Sequence, residues 1–423
     1  MNITKSGALS KYITISVALF LFTAATAFGR GNGIKAGSGR MHFGIDLDFM
    51  FDSNPGYFPS SSQSKAFDLV LRTRPVIGLE FPSDSVSFDL NGKVGYDYYF
   101  GLDNSATSNL STVSGDADLR LGFNPKGQFS FFIIDTFSRS GDPRYTALAS
   151  RFDRTDNEIK AQFQIKPGGG ALMFDLAYGF YLDWFDDNGA INTKALSNYA
   201  HRVYFSGKWK FLPKTALSLD FDSDLRRYPY KYDSNSIGNP DINAIRVTLG
   251  LIGQISPSIS LVVKAGYGDS LMGDAVMSDG SAYSGSDYRS VIGQAEFSYR
   301  AATTQLQFGY SRNFQPVVLF AYFGQDRFYL RFNQQIAGRF SLAADVGFDM
   351  LGYGKSIQVD TGDRFDYFLS GGASFQYHIL DWFMLGLDYQ FQVLISDFQQ
   401  PLAGAGGVDY NKHVIAFRIG LDY

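Results

Sequence analysis

Apolar and polar side chains alternate residue by residue along most of this chain, and no other feature constrains its fold as strongly. Every second residue from Met41 to Phe51 is apolar, and the stretch from Val86 to Phe100 repeats the pattern. Successive side chains of a β-strand point to opposite faces, so a period of two predicts strands with one apolar and one polar face. The chain is therefore expected to be all-β.

About eighteen such segments follow one another, and each has roughly the 9–11 residues, or slightly more, that a tilted strand needs to cross a bilayer. Their predicted spans are 41–51, 65–81, 84–101, 110–123, 128–139, 154–166, 171–185, 198–212, 215–227, 243–256, 258–268, 288–300, 303–313, 322–336, 339–352, 364–379, 383–396 and 411–423. Beyond residue 27, no apolar run approaches the ~20 residues of a membrane-spanning helix. This excludes a helical membrane protein.

The connections between these segments alternate in length. Short connections such as Pro82–Asp84 and Pro167–Gly170 are rich in turn-forming residues, whereas long ones such as 186–197 are mostly polar. Outer-membrane barrels show this asymmetry, with short periplasmic turns and longer external loops. The alternation of lengths therefore favours a membrane barrel.

Composition and backbone physics agree with a barrel. Aromatic residues make up 16% of the chain and charged residues only 18%, whereas a soluble domain is about a quarter charged. In hydrocarbon every backbone N–H and C=O needs a partner, which short strands achieve only in a closed sheet. A propeller would show a repeat of ~40 residues, and a sandwich has only ~100 residues. We predict a transmembrane antiparallel up-and-down β-barrel of about 18 strands, with 16 as the fallback, in a Gram-negative outer membrane.

The N-terminal 27 residues have the features of a cleavable signal peptide. Lys5 and Lys11 give a positive start, Tyr12–Thr23 is a short apolar core, and Ala25-Thr26-Ala27 is a cleavage site. The predicted organisation is a signal peptide over 1–27, a short segment over 28–40 and the barrel over 41–423.

The polar faces of the strands supply candidates for the lining of the lumen. Basic and acidic residues are both well represented, so no strong ion preference follows. The pore-lining candidates are Arg72, Arg74, Lys93, Arg120, Lys208, Lys210, Asp220, Asp222, Asp224, Arg226, Arg246, Arg327, Arg331 and Asp345.

Three of these acids form a rail on one strand: Asp220, Asp222 and Asp224. Lys208 and Lys210 on the preceding strand could pair with the rail across the hairpin. A stiffening ion-pair network is favoured over a ligand rail.

Two connections and one strand carry further expectations. The longest loop, 269–287, is the best candidate to fold inward as a constriction, although an ordinary external loop is the simpler alternative. Residues 314–321 are expected to form another external loop. Asp135 falls on an apolar face, where a carboxylate exposed to lipid is costly. We therefore expect a β-bulge near 132–134 or a position of Asp135 close to the external rim.

Other functional classes lack support. The chain has no Cys and only four His, and its net charge of −4 offers no basic surface for nucleic acid. No nucleophile elbow and no phosphate-binding loop occurs. The sequence predicts no enzyme activity, no cofactor and no metal site.

The end of the sequence is similar to a known targeting element. Phe417, Ile419, Leu421 and Tyr423 alternate up to a terminal aromatic residue, and this resembles the C-terminal insertion signal of bacterial outer-membrane proteins, most of which end in Phe. The resemblance implies recognition by the barrel-assembly machinery.

The region of the first three strands resembles a family of bacterial outer-membrane β-barrel porins. The family follows its first strand with Asp-x-Asn-Pro, here Asp52, Asn54 and Pro55, and has a Pro in its second strand, here Pro75. The motif match covers about sixty residues. Many members are encoded beside exopolysaccharide biosynthesis genes, so the resemblance implies a role in moving polysaccharide across the outer membrane or in anchoring an export apparatus. It carries over no binding residue.

The predicted function is a pore that passes small hydrophilic solutes or secreted polysaccharide. The alternative is a non-conducting structural or adhesion barrel that anchors envelope machinery. The expected surroundings are outer-membrane lipid and lipopolysaccharide, with polysaccharide-export or envelope proteins as further candidate partners. Substrate and oligomeric state stay open.

Overall fold

The computed structural model describes residues 31–60, 62, 65–143, 151–186, 193–230, 240–273, 287–317, 320–355, 364–400 and 406–423. The strands are β1 (Ile34–Ala36), β2 (Gly39–Asp52), β3 (Asp68–Phe81), β4 (Val86–Tyr99), β5 (Thr112–Phe123), β6 (Phe129–Ser140), β7 (Arg154–Ile165), β8 (Leu172–Phe185), β9 (Asn198–Leu212), β10 (Thr215–Arg227), β11 (Ile242–Ser256), β12 (Ile259–Asp269), β13 (Arg289–Arg300), β14 (Thr304–Val317), β15 (Phe320–Ile336), β16 (Phe340–Tyr353), β17 (Phe365–Leu380), β18 (Phe383–Ser396), β19 (Gln399–Gln400), β20 (Gly406–Gly407) and β21 (Tyr410–Asp422). Three short 3₁₀ turns complete the described elements: Ser105–Leu110, Pro167–Gly170 and Thr193–Leu196.

Eighteen strands, β2 to β18 and β21, close into one antiparallel barrel. Each strand pairs with its neighbour in the chain, and β21 pairs with both β18 and β2. At this seam Phe49 lies opposite Phe417, and the backbone groups of Phe43 and Tyr423 exchange two hydrogen bonds. Closure pairs the backbone N–H and C=O groups of the strands that would otherwise be edges, and it confirms the predicted fold class.

The outer face of the barrel is apolar. Large side chains such as Phe49, Val94 and Leu249 are about half exposed or more, which would be costly in water. Trp184 at one end of the barrel and Trp209 and Trp382 at the other are also exposed on the outer rims, as in an aromatic girdle. Among the described residues, no helix is long and apolar enough to cross a membrane. The closed sheet and its exposed apolar outer face show that the strands face lipid, as in an outer-membrane β-barrel.

Local sequence sets most strand ends. The turn at Pro167–Gly170 requires positive φ angles at Gly168, Gly169 and Gly170, which glycine adopts at little cost. By the usual asymmetry, the short turns mark the periplasmic end, called the turn end below, and the longer connections mark the external or loop end.

One predicted loop is instead part of the sheet. β14 runs to Val317 and β15 begins at Phe320, so the prediction of an external loop over 314–321 was wrong. The side chains of Phe314, Val317 and Phe320 are almost fully buried. Burial on both faces removes the alternation that sequence reasoning needs, and therefore hides the strand.

Asp135 lies on a regular strand. The pairing of β6 with β5 and β7 continues without a register shift from Phe129 to Ser140 in the β7 ladder, so the predicted bulge was wrong. The Asn157 side-chain amide donates a hydrogen bond of 2.6 Å to the Asp135 carboxylate. This bond from the adjacent strand satisfies part of the carboxylate without a change of face.

The predicted signal peptide, residues 1–27, lies outside the described residues. Within the segment predicted over 28–40, β1 folds back on β2, with Ala36 opposite Gly39.

Candidate functional site: the lumen

The polar faces of the strands enclose a cavity of about 2190 Å³. Lys210 and Lys214 line it at the turn end, whereas Tyr57 and Asp142 line it towards the loop end. The cavity therefore extends along much of the barrel, and its lining contains many charged side chains of both signs.

One wall is held by an ion-pair network on β2, β3, β4 and β21. The carboxylate of Asp48 lies 2.7 Å from Arg74 Nη2 and 2.6 Å from Arg418 Nε, and Asp48 is 1% exposed. Next to it, Arg72 donates two hydrogen bonds, of 2.6 and 2.7 Å, to Asp97. These contacts lock charged side chains against the wall.

The acidic rail lies on the opposite part of the wall, but its partners are not those predicted. The ion pairs are Asp220 with Lys264 at 2.9 Å, Asp222 with Arg246 at 2.6 Å, and Asp224 with Arg202 at 3.0 Å and with Arg226 at 2.9 Å. The rail is thus neutralised by β9, β10, β11 and β12 together.

The predicted pairing of Lys208 and Lys210 with the rail was wrong because of the register. Lys208 lies opposite Ser218, and Asp220 lies opposite Ser206, whose hydroxyl donates a hydrogen bond of 2.6 Å to the carboxylate. The offset leaves both lysines nearer the turn end. Sequence alone does not specify this offset.

The structure places the fourteen pore-lining candidates in two groups. Eight line the cavity: Arg72, Arg74, Lys93, Lys208, Lys210, Asp220, Asp222 and Arg331. Six are not part of its lining: Arg120, Asp224, Arg226, Arg246, Arg327 and Asp345. Three of the six are buried in the wall, namely Asp224, Arg226 and Arg246.

The β14–β15 hairpin narrows the loop end of the barrel. Phe314 packs with Ile242 and Ile292 from β11 and β13, while Phe320 belongs to an apolar cluster that includes Tyr57 and Tyr410. β11 and β21 are eight strand steps apart in the ring of eighteen, so they stand on nearly opposite parts of the wall. The hairpin therefore contributes to apolar clusters whose members come from nearly opposite parts of the wall. We call its described residues, 313–317 and 320–324, the mouth hairpin, and Phe320 lies near its tip.

Arg246 anchors the mouth hairpin to the wall. Its guanidinium donates hydrogen bonds to the Asn313 side chain at 3.1 Å and to the Phe314 carbonyl at 3.0 Å, and it lies over the Phe314 ring at 4.3 Å. The sequence suggested a pore-lining role for Arg246, but the residue joins two elements. Asp222 balances its charge.

Phe320, near the tip of the hairpin, packs among aromatic side chains. The Phe320 ring centroid lies 5.0 Å from Tyr353 and 5.5 Å from Phe398. Arg364, paired with buried Asp366 at 2.6 Å, lies over both Tyr353 and Phe398. Apolar contact and a paired charge thus fill this part of the loop end.

The Asp-x-Asn-Pro motif fixes the first loop to the last strand. The Asn54 side chain donates to the carbonyls of Phe58 and Asn411 at 2.9 and 3.2 Å and accepts from the Phe58 N–H at 2.9 Å. Asp52 accepts a hydrogen bond of 2.7 Å from Lys412. The motif therefore has a structural role here, and the tendency of Asn and Asp to bond nearby backbone was the signal for it.

Two loops meet at the narrowed end. The Tyr57 hydroxyl donates to Asp142 at 3.2 Å, Arg151 lies 4.0 Å from Asp142, and Arg151 also bonds the Tyr99 hydroxyl. Burial, together with the negative charge of Asp142, raises the pKa of the Tyr57 phenol well above its ordinary value of 10.0. The phenol therefore stays a hydrogen-bond donor across the physiological range.

The predicted constriction loop, 269–287, falls largely on residues 274–286, outside the described part of the chain. At its start, Met272 packs against the cluster that holds Phe314. The described residues that narrow the barrel come instead from the mouth hairpin and from residues 53–60, 141–143 and 151–153.

Comparisons with known proteins give a likeness in solved structures only. No family model matches the chain, and no curated protein matches it. The chain is similar to OccK8 (OprE) of Pseudomonas aeruginosa, with 12% identity over 91% of this chain and 98% of that one and a TM-score of 0.47. The outer membrane protein OpdK of the same organism is 10% identical over 90% of this chain and 99% of that one, with a TM-score of 0.47. OccAB3 of Acinetobacter baumannii is 11% identical over 92% of this chain and 100% of that one, with a TM-score of 0.46. The fold of this chain is established by its strand pairing, independently of these likenesses.

Proposed function

We propose that this barrel is an outer-membrane channel that passes small hydrophilic solutes by diffusion. The supporting observation is the cavity of about 2190 Å³, which extends between the two ends and carries charged and polar side chains on its wall. Barrels of 16–18 strands are wide enough for water. The ion pairs on both walls keep the side chains against the strands, so that the lumen holds water rather than a collapsed core.

The narrowed loop end favours small solutes over a polymer. The mouth hairpin and the cluster of Tyr57, Phe320 and Tyr410 occupy cross-section that a polysaccharide chain would need. Passage of polysaccharide therefore has no support from the lumen. It stays an implication of the family resemblance, which genes for glycosyltransferases and export proteins beside this one would favour.

Single-cysteine labelling tests the channel, because the chain has no Cys of its own. Ser206 lines the cavity, whereas its neighbour Gly207 has the opposite, outward orientation. In planar bilayers, Ser206→Cys should lose part of its conductance when a charged, water-soluble methanethiosulfonate is added. Gly207→Cys, the matched control, should not change.

The alternative is a barrel that docks envelope machinery and conducts nothing. Steady single-channel conductance, sensitive to the reagent only in Ser206→Cys, supports the channel. Silence from a folded barrel, shown to be folded by its heat-modifiable gel mobility, would favour the docking role. Liposome swelling with sugars of increasing size would then give the size limit.

We also propose that the final strand is the part that the assembly machinery recognises. Phe417, Leu421 and Tyr423 point outward and are exposed, and Ile419 pairs with Leu47 and Leu385 at the seam. The outer face would contact lipid and lipopolysaccharide. Tyr423→Ala should lower the amount of assembled barrel in cells, and unchanged assembly would contradict the proposal.

A further inference from the structure

The turn end of the barrel is basic over half of its rim. The five consecutive turns from β7 to β16, with their flanking residues 164–173, 207–217, 252–260, 297–305 and 333–343, contain no Asp or Glu. They carry six bases, which we call the basic arc: Lys166, Lys208, Lys210, Lys214, Arg300 and Arg339.

The other half of the rim is different. Its turns and strand ends carry the acids Glu80, Asp84, Asp381 and Asp422 together with the bases Lys35, Arg40 and Lys126. The only lysine in the turn between β5 and β6, Lys126, pairs with Asp84 at 2.5 Å. Net positive charge at the turn end is therefore concentrated on the side of the basic arc.

Four members of the basic arc line the cavity: Lys208, Lys210, Lys214 and Arg300. In the part of the chain that the structure describes, none of the four forms an ion pair. Backbone hydrogen bonds fix two of them at the turn end: the Gln254 N–H donates to the Lys214 carbonyl, and the Arg300 N–H donates to the Ser258 carbonyl. Their charges thus stay available to solutes.

Higher in the lumen, five acids are neutralised by bases. Asp48, Asp97, Asp220, Asp222 and Asp224 each have a basic partner within 3.0 Å. Two further acids lie a few residues inside the arc. Glu296 on β13 accepts hydrogen bonds from Tyr329 at 2.5 Å and from Ser298 at 3.2 Å. Asp175 on β8 lies opposite Ser206, and Lys208 lies opposite Met173 on the same strand. The Asp175 carboxylate accepts from Gln162 and Gln164 at 3.1 and 2.8 Å rather than from a lysine.

We propose that the basic arc makes the channel prefer small anions over small cations. The proposal rests on the proposed channel function. Charges of one sign at a mouth with low-dielectric walls concentrate counter-ions there, and the paired charges deeper in the lumen add little net field. The solute class is therefore small and negatively charged.

Reversal potentials across a KCl gradient in planar bilayers test this preference. The wild-type channel should pass chloride more readily than potassium. In the variant Lys208→Gln/Lys210→Gln/Lys214→Gln, the ratio of chloride to potassium permeability should fall roughly twofold, as expected for three charges at about 10 Å under partial screening. Asp175→Asn should raise the ratio. Lys126→Gln, on the other half of the rim and already paired, is the matched control and should leave the ratio unchanged.

The outcomes separate the two proposals. A conducting channel whose permeability ratio is the same in the wild type and in the triple variant overturns the anion preference and leaves the channel function standing. A cation-preferring wild type also overturns it. No conductance from any folded variant overturns the channel function itself.

Discussion

Removing one aromatic side chain at the loop end should open the channel. Phe320 is fully buried at the tip of the mouth hairpin and packs on Tyr353 and Phe398. Phe320→Ala removes a fully buried ring and leaves a space that Tyr353, which is fixed in β16, does not fill. Similar substitutions cost about 3–5 kcal/mol.

Most of this free-energy cost falls on the packing (docking) of the mouth hairpin against the aromatic cluster, because the turn-end parts of β14 and β15 stay hydrogen-bonded to their neighbouring strands. A loss of 3–5 kcal/mol raises the equilibrium constant for undocking roughly 10²- to 4 × 10³-fold. Undocking widens the loop end, so we expect a larger mean single-channel conductance and more frequent transitions between current levels. The barrel itself should keep its heat-modifiable gel mobility.

The matched control is Phe328→Ala, on the same strand. Phe328 is 48% exposed on the outer face, where the lost contact is mainly with lipid and with Tyr310. Its conductance should equal that of the wild type. If Phe320→Ala folds and conducts like the wild type, or if both variants change alike, the hairpin does not limit the current and our reading of the loop end is refuted.

Three further predictions follow from the same contacts. Arg246→Met removes the anchor of the mouth hairpin and leaves the half-buried Asp222 without its partner; we expect a loss of about 1.5–3 kcal/mol in the free energy of unfolding in urea, part of which Asp222→Asn in the same chain should restore. Asn54→Ala removes three side-chain hydrogen bonds in a buried site and should cost about 2–3 kcal/mol, measured as a lower urea midpoint and faster proteolysis of the first loop. Because the pKa of Tyr57 is raised in the folded protein, the contact of the neutral phenol with Asp142 stabilises the packing of the two loops fully below pH ~10, and this stability is lost as the pH rises further. The conductance should therefore change only at alkaline pH, and Tyr57→Phe should abolish that change.

The strands could be predicted because their information is local. The predicted spans 198–212, 215–227 and 383–396 coincide with β9, β10 and β18. Alternation names the face of each residue, and turn residues such as Pro213 mark the ends. Closure then follows from the need to pair every backbone group in lipid. No contact between distant residues is needed for either step.

The lumen could be predicted only by face, because its contacts depend on register and on distant elements. Alternation placed Asp220 inside, but its partner Lys264 is two strands away along the ladder. Arg246 was found on the inner face, yet its contact with Phe314 depends on a hairpin that bends across the barrel. One signal was present: the apolar run Val317–Phe320 is unusual for an external loop.

The two ends of the lumen act through different forces, and salt should separate them. The loop end is narrowed by apolar contact around Phe320, which ionic strength hardly changes, whereas the turn end acts through unpaired charge. The Debye length falls from ~30 Å at 0.01 M salt to ~3 Å at 1 M. The effect of the triple lysine variant on permeability should therefore disappear in concentrated KCl, while the relative increase in conductance of Phe320→Ala should persist. If both effects declined together with salt, the mouth hairpin would have to act through charge, and the apolar account of the loop end would fail.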